Sequence, residues 1–264
     1  MNLDLTGKYA LVGGASKGIG RAVAEELALL GANVILMARS QDLLQQAVAA
    51  LPNNGTQQHH YIVADNSQPQ ALREAVVTFM QEHNLFTIHI LVNNTGGPAG
   101  GPAIDAKPEE FVGAFTNHLL CNQHLAQILV PGMKAAGFGR IINIISTSVK
   151  QPIPGLGVSN TIRGAVANWA KTLSLELGQY GITVNNVLPG FTETERLESI
   201  IANKASKTGN DEAAVIEQMK QETPARRFAT ANEVAAAASF LASPAAAYVN
   251  GINLPVDGGR TASL

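Results

Sequence analysis

The amino-acid sequence predicts a single α/β domain built as a doubly wound parallel sheet of seven strands, with helices on both faces. Three observations carry that prediction. Short apolar segments of strand character alternate with longer segments of helical period along the chain, the order that lays strands parallel and passes helices across them. The first strand runs straight into a glycine-rich turn and then a helix. Finally, 264 residues with 46% hydrophobic and 14% charged side chains suffice for one large core, and no linker or internal repeat divides them.

The elements follow in order. Tyr9-Ala10-Leu11-Val12 is a short apolar run within a strand at about 8–13, and Gly13 to Gly20 forms the turn. A helix at about 18–30 continues from it, with Arg21 to Leu30 amphipathic. Strands at about 33–38, 60–64, 88–93, 140–145, 182–187 and 252–256 alternate with helices at about 41–51, 68–83, 108–136, 156–179 and 231–242. The ligand crevice of such a sheet lies beyond the carboxyl ends of its strands, where Gly14, Ala38, Asp65, Asn93, Ser146 and Pro189 fall. One segment breaks the rhythm: Thr192 to Pro224 is long and polar, with Lys204, Lys207, Gly209 and Asp211 in its middle. Its composition fits either a disordered surface excursion or a mobile lid, and the lid at about 192–224 is the preferred expectation.

Each glycine of the first turn has a physical task. Lacking a Cβ, Gly14 and Gly18 can take turn geometry and let the backbone approach a pyrophosphate, while Gly20 allows close packing of helix on sheet. The amides and dipole of the following helix favour an anion. The spacing Gly-x-x-x-Gly-x-Gly resembles that of the short-chain dehydrogenase/reductase family. Further motifs extend the resemblance over nearly the whole chain: Asn93-Asn94-Thr95-Gly96, Gly139 to Ser146, Pro189-Gly190, and Val256-Asp257-Gly258-Gly259. The resemblance implies a Rossmann-type domain with a nicotinamide cofactor held by Gly14, Ser16, Lys17, Gly18, Ile19 and Gly20. It also implies contacts from Asn93 and Gly96 along the ribose and nicotinamide side, and from Pro189 and Gly190 at the turn before the lid.

Charge decides which nicotinamide cofactor is expected. An NAD site usually ends its second strand with an acid for the ribose hydroxyls, but this strand ends Leu36-Met37-Ala38-Arg39. Arg39, Lys17 and the hydroxyl of Ser40 suit a 2′-phosphate, so the expected cofactor is NADP(H); the plainer alternative is that the two cations are solvated surface charges. Asp65 and Asn66 end the third strand where family members hold adenine, although an Asp there is also a routine helix cap.

The catalytic positions depart from the family pattern. There, a serine orients the carbonyl, a tyrosine thirteen residues later donates the proton, and a lysine four residues further lowers the tyrosine pKa and holds the ribose. A helix asparagine anchors a relay water. Here Ser146 stands in the serine position, but counting on gives Ser159, then Arg163, with His118 at the asparagine position. An aliphatic hydroxyl is a far weaker acid than a phenol, and a guanidinium with a pKa above about 12 keeps its charge but passes no proton. Arg163 remains suited to hydrogen-bonding the ribose. His118 is the expected substitute acid, because imidazole titrates near neutral pH, with Lys150 as a second candidate; a hydrogen-bonded structural histidine is the alternative.

Composition narrows the remaining classes. A formal charge of −2 without a Lys/Arg cluster argues against nucleic acid or an anionic membrane as main partner. The polar start Met1-Asn2-Leu3-Asp4 is no signal peptide and no apolar run reaches spanning length, so a soluble cytoplasmic protein is expected. Cys121 is a lone cysteine, and the six histidines lack paired metal-ligand spacing with it, so no metal is expected. The apolar faces of the helices at about 108–136 and 156–179 exceed what one sheet requires, which predicts a homodimer or homotetramer. The functional expectation is an NADP(H)-dependent oxidoreductase acting on a carbonyl or alcohol, with a 3-oxoacyl thioester-like substrate as one class the resemblance suggests. The alternative is an NADP(H)-binding sensor or scaffold that has lost hydride transfer.

Overall fold

In the computed structural model, which describes residues 1–263, seven parallel strands lie in the order β3-β2-β1-β4-β5-β6-β7. They are β1 (Tyr9–Gly13), β2 (Asn33–Ala38), β3 (His60–Val63), β4 (Ile90–Asn93), β5 (Gly139–Ile144), β6 (Ile182–Pro189) and β7 (Asn253–Val256). The helices are α1 (Gly18–Leu29), α2 (Gln41–Ala49), α3 (Pro69–Glu82), α4 (Pro108–Phe115), α5 (Cys121–Ala136), α6 (Gly157–Leu177), α7 (Glu195–Thr208), α8 (Glu212–Gln221) and α9 (Ala231–Ala242). The strand order reverses between β1 and β4, which opens a crevice above their carboxyl ends.

The period of two along each strand sorts the core into two layers. Val12, Leu36, Val92 and Ile142 pack with Val23 and Leu27 of α1, Leu44 of α2 and Val234 and Leu241 of α9. Their neighbours Leu11, Ile35, Leu91 and Ile141 face the other way, onto Leu72 and Val76 of α3, Leu125 and Leu129 of α5 and Ala170 of α6. Each fully buried leucine or isoleucine contributes about 1.5–3 kcal/mol by leaving water, which makes these strands the fixed platform for the loops above them.

The helix expected at 108–136 keeps those bounds but holds an unforeseen turn, and of the two accounts of 192–224 the disordered one falls. The helix expected at 108–136 is α4 and α5 joined by a π-helical turn over Thr116–Leu120. One wide turn shifts the helical phase and brings His118 inward, a detail that apolar periodicity does not encode. The polar stretch 192–224 is no irregular excursion either: it is the hairpin of α7 and α8, closed by its own small core of Leu197, Ile201, Ala205, Val215, Met219 and Phe228. Thr194 caps α7 by accepting from the Leu197 amide, and Asp211 caps α8 by accepting from the Ala214 amide.

Candidate cofactor and active site

The turn after β1 is shaped by backbone alone. Gly14 and Gly18 have φ of +57° and +59°, a region L side chains rarely adopt. Gly20 sits where a Cβ would lie 2.3 Å from the Gly14 carbonyl oxygen, so helix and turn meet at a distance only glycine allows. Lys17 precedes α1 with an extended backbone and offers no side-chain cap, which leaves the first amides of the helix open toward an anion. Asn94 ties the turn to β4 by donating from Nδ2 to the Gly13 oxygen at 3.2 Å and the Gly14 oxygen at 3.4 Å. Ser16 and Ile19 are half-buried along the turn.

The residues expected at the adenosine end separate on inspection. Arg39 and Ser40 are exposed just beyond β2, and no carboxylate pairs with Arg39 among the described residues. Lys17, expected to be free for a phosphate, is instead ion-paired with Glu195 at the start of α7. Asp65 Oδ1 accepts from the Ser67 amide at 2.8 Å and shapes the turn before α3. Asn66 holds the π turn, donating from Nδ2 to the Asn117 oxygen at 3.1 Å, while its own oxygen accepts from Cys121 Sγ. Burial, with Asp65 nearby, pushes the Cys121 thiol up to about 11, which keeps it protonated and inert.

Asn93 belongs to a row that sequence reading missed. Asn93, Asn143, Asn186 and Asn253 are in register on four adjacent strands. Their amides form a chain, each Nδ2 donating to the next Oδ1 at 2.8 Å. Asparagines inside central apolar strands were the available signal, since a buried amide demands partners.

The row ends at a small cavity of about 10 Å³, lined among others by Asn93, His118, Asn122 and Arg163; that is about the space of one water molecule. His118 and Arg163 are 4% and 7% exposed. Burial first, and then the charge of Arg163, hold the His118 imidazole down to about 3, against a backbone hydrogen bond with Gly96 that acts the other way. His118 is therefore neutral at ordinary pH, and the expectation of an imidazolium acid is corrected: a buried ring beside a guanidinium gives up its proton first. Arg163 Nη1 donates to the Ile144 oxygen at 3.0 Å, whereas its buried Nε has no protein partner. Burial, with Arg196 adding repulsion, lowers Arg163 to about 10, leaving it charged.

Ser146 ends the β5 segment and accepts from the Ser148 amide at 3.1 Å, so its own hydroxyl proton stays available to a substrate oxygen. Ser159 lies half-buried in the first turn of α6. Lys150 is half-buried just after the short turn Thr147–Val149. The loop at Gly100–Gly101 is stitched to the start of α6: the Gly101 amide donates to the Gly155 oxygen at 2.7 Å and the Gly157 amide to the Gly101 oxygen at 2.9 Å. A wider pocket of about 270 Å³ opens beside them, lined by Thr147, Gln151 to Pro154, Glu222 and Arg260. Pro189 and Gly190 carry β6 into α7, and the Gly190 amide bonds to the Val256 oxygen at 2.9 Å.

The family profile described as enoyl-(acyl carrier protein) reductase matches residues 14–261. The chain belongs to the short-chain dehydrogenase/reductase family. A tropinone reductase homolog of Arabidopsis thaliana is 33% identical to this family member over 98% of its chain and 92% of the relative. The gluconate 5-dehydrogenase of Gluconobacter oxydans is 31% identical over 99% and 97% of the two chains. Among solved structures, L-sorbose reductase of Gluconobacter frateurii, complexed with NADPH and L-sorbose, superposes with a TM-score of 0.92 at 31% identity over the full length of both chains. The oxidoreductase fold is thus common ground between this chain and reductases crystallised with NADPH. Among the described residues no helix is long and apolar enough to cross a membrane, and no group of three or more His, Cys, Asp or Glu side chains is arranged to hold a metal.

Proposed function

We propose that this protein is an NADP(H)-dependent oxidoreductase interconverting a carbonyl and an alcohol, with a proton-delivery site that departs from the family pattern. The single observation that carries the reading is the turn after β1: positive φ at Gly14 and Gly18, no room for a Cβ at Gly20, and uncapped amides at α1. These features fit a dinucleotide pyrophosphate, and Arg39 without an acidic neighbour fits a 2′-phosphate. When bound, the cofactor supplies the hydride. Ser146 orients the substrate oxygen through its free hydroxyl proton. Arg163 holds fixed positive charge beside the crevice, and neutral His118 serves as a hydrogen-bonding relay group rather than an acid. Ser159 and Lys150 are the remaining hydroxyl and ammonium near the path, and a weak donor there implies slow turnover. The tropinone-like, gluconate and acyl relatives leave the substrate class open between small ketones, sugar derivatives and thioesters.

One observation favours the alternative of an NADP(H)-binding sensor or scaffold. No tyrosine lines the catalytic segment: Tyr9 and Tyr61 lie in β1 and β3, and Tyr180 and Tyr248 are 39% and 102% exposed. NADPH oxidation across a panel of ketones, oxo acids, sugar derivatives and acyl thioesters, set beside NADPH binding by fluorescence, separates the two readings. Turnover with Ser146→Ala reducing it strongly supports the reductase; binding with no oxidation on any substrate abandons it for the scaffold. We also propose a homodimer or homotetramer, supported by exposed Val112 and Phe115 on α4, Leu120 beside them and Leu175 on α6. Sedimentation showing a concentration-independent monomer overturns that proposal.

A further inference from the structure

Two guanidinium groups from different elements meet over one glycine. An ideal Cβ built on Gly97 would lie 3.6 Å from Arg163 Nη2, projecting from α6, and 3.8 Å from Arg196 Nη2, projecting from α7. Arg196 Nη2 also donates to the Pro98 oxygen at 2.9 Å, which fixes its reach toward the same loop. Among the described residues neither guanidinium has a carboxylate partner, although five ion pairs form elsewhere. Arg163 is 7% exposed, and its buried Nε finds no acceptor. Like charges placed together, one of them buried, cost stability unless an anion joins them. In the proposed cofactor reading the pyrophosphate is assigned to the turn at Gly14–Gly20 and the 2′-phosphate to Arg39, which leaves this pair unneutralised by the cofactor.

We infer that Arg163 and Arg196 form a two-pronged subsite for the carboxylate of the substrate, so that the protein acts on an oxo acid or hydroxy acid rather than a neutral ketone or thioester. The inference rests on the proposed NADP(H)-dependent carbonyl chemistry and names its substrate class. Two planar forks, each with parallel N–H donors, match the two oxygens of a carboxylate. Because Arg196 belongs to the first turn of α7, an acid would also connect the hairpin of α7 and α8 to α6.

Calorimetric titration of the NADP+-loaded protein tests this without turnover, using pyruvate, acetoacetate and levulinate, each beside its methyl ester. At least one acid binds about 10–100-fold more tightly than its ester, and Arg196→Gln removes most of that preference while leaving ester binding unchanged. Arg196 is exposed, so this variant folds without repacking the core. Arg196→Lys keeps one charge without the fork and restores part of the preference. Esters binding as well as acids, or acid binding unmoved by Arg196→Gln, overturns the subsite. So does inorganic phosphate binding there while every carboxylate fails. If the unmodified protein does not bind NADP+ at all, the cofactor reading fails first, a result distinct from all of these.

Discussion

The turn after β1 and the segment after β5 perform the same geometric task, each carrying the chain from a central strand over the crevice and into a helix, yet they are specified in different ways. The first is written in backbone: two left-handed glycines and a third whose Cβ would lie 2.3 Å from the Gly14 oxygen. The second is written in side chains, with Ser146 anchored by the Ser148 amide, Ser159 on the first turn of α6 and Arg163 buried below it. Backbone specification tolerates almost no change, because every other residue is strained or clashes. Side-chain specification can drift while the fold stays intact, since Ser and Arg fit a helix nearly as well as Tyr and Lys. A fold of this kind can therefore keep its binding turn while the side chains after β5 vary.

Placing the family's expected donor pair in the segment after β5 is the most severe test of this contrast. Ser159→Tyr with Arg163→Lys returns a phenol and its ammonium partner, and carbonyl reduction should rise by about 10²–10⁴-fold in steady-state NADPH oxidation. No gain from a folded, NADPH-binding double variant would show that the pocket beyond the helix has changed as well. On the cofactor side, beyond β2, Arg39→Ala should weaken NADPH binding by about 1.5–3 kcal/mol and leave NADH nearly untouched, read by nucleotide fluorescence. Equal affinity of the unmodified protein for both nucleotides would break the assignment.

The third test uses pH. His118 titrates at about 3 in the folded protein against 6.5 unfolded, so the unfolded chain binds the proton first as pH falls. The neutral-ring contribution is fully present above 6.5 and is lost progressively toward 3, reaching about 2 kcal/mol at pH 5. His118→Asn should flatten the fall of thermal stability between pH 7 and 5, with His89, lowered by burial to about 4, and His60, also lowered by burial, contributing to the slope that remains. An unchanged pH profile would mean the ring is not held neutral. The smallest effect is expected at the pair joining the two halves of the crevice. Glu195→Gln frees Lys17, and NADPH binding should tighten by up to about fivefold, because an exposed ion pair is worth no more than about 1 kcal/mol. Weaker binding would show that Glu195 helps to position Lys17 instead of competing for it.

The sheet, its helices and the glycine turn were legible in the sequence because each rests on local period or on a residue with one physical use. Helical period was present in the hairpin too, in Leu197, Ile201 and Ala205 at steps of four, but polar neighbours obscured it. What escaped depends on distance along the chain. The Lys17–Glu195 pair spans 178 positions, and the π turn at Thr116–Leu120 reflects how α4 and α5 meet the sheet. Reading His118 as an acid failed for a related reason: the reference pKa was visible, whereas the burial and the neighbouring guanidinium were not.

The asparagine row across β4 to β7 has a consequence for how the sheet assembles. If β5 or β7 slips by one residue it presents its other face, so the amide of Asn143 or Asn253 would land in apolar packing while its former neighbours lost a donor or an acceptor. The inner members matter most. Removing Asn143 orphans Asn93 on one side and Asn186 on the other, whereas removing Asn253 orphans only Asn186. Apolar strands of similar composition can pair in several alignments, and this row acts as a key that admits one, so the strand ends beneath the crevice arrive level with each other before any ligand is bound.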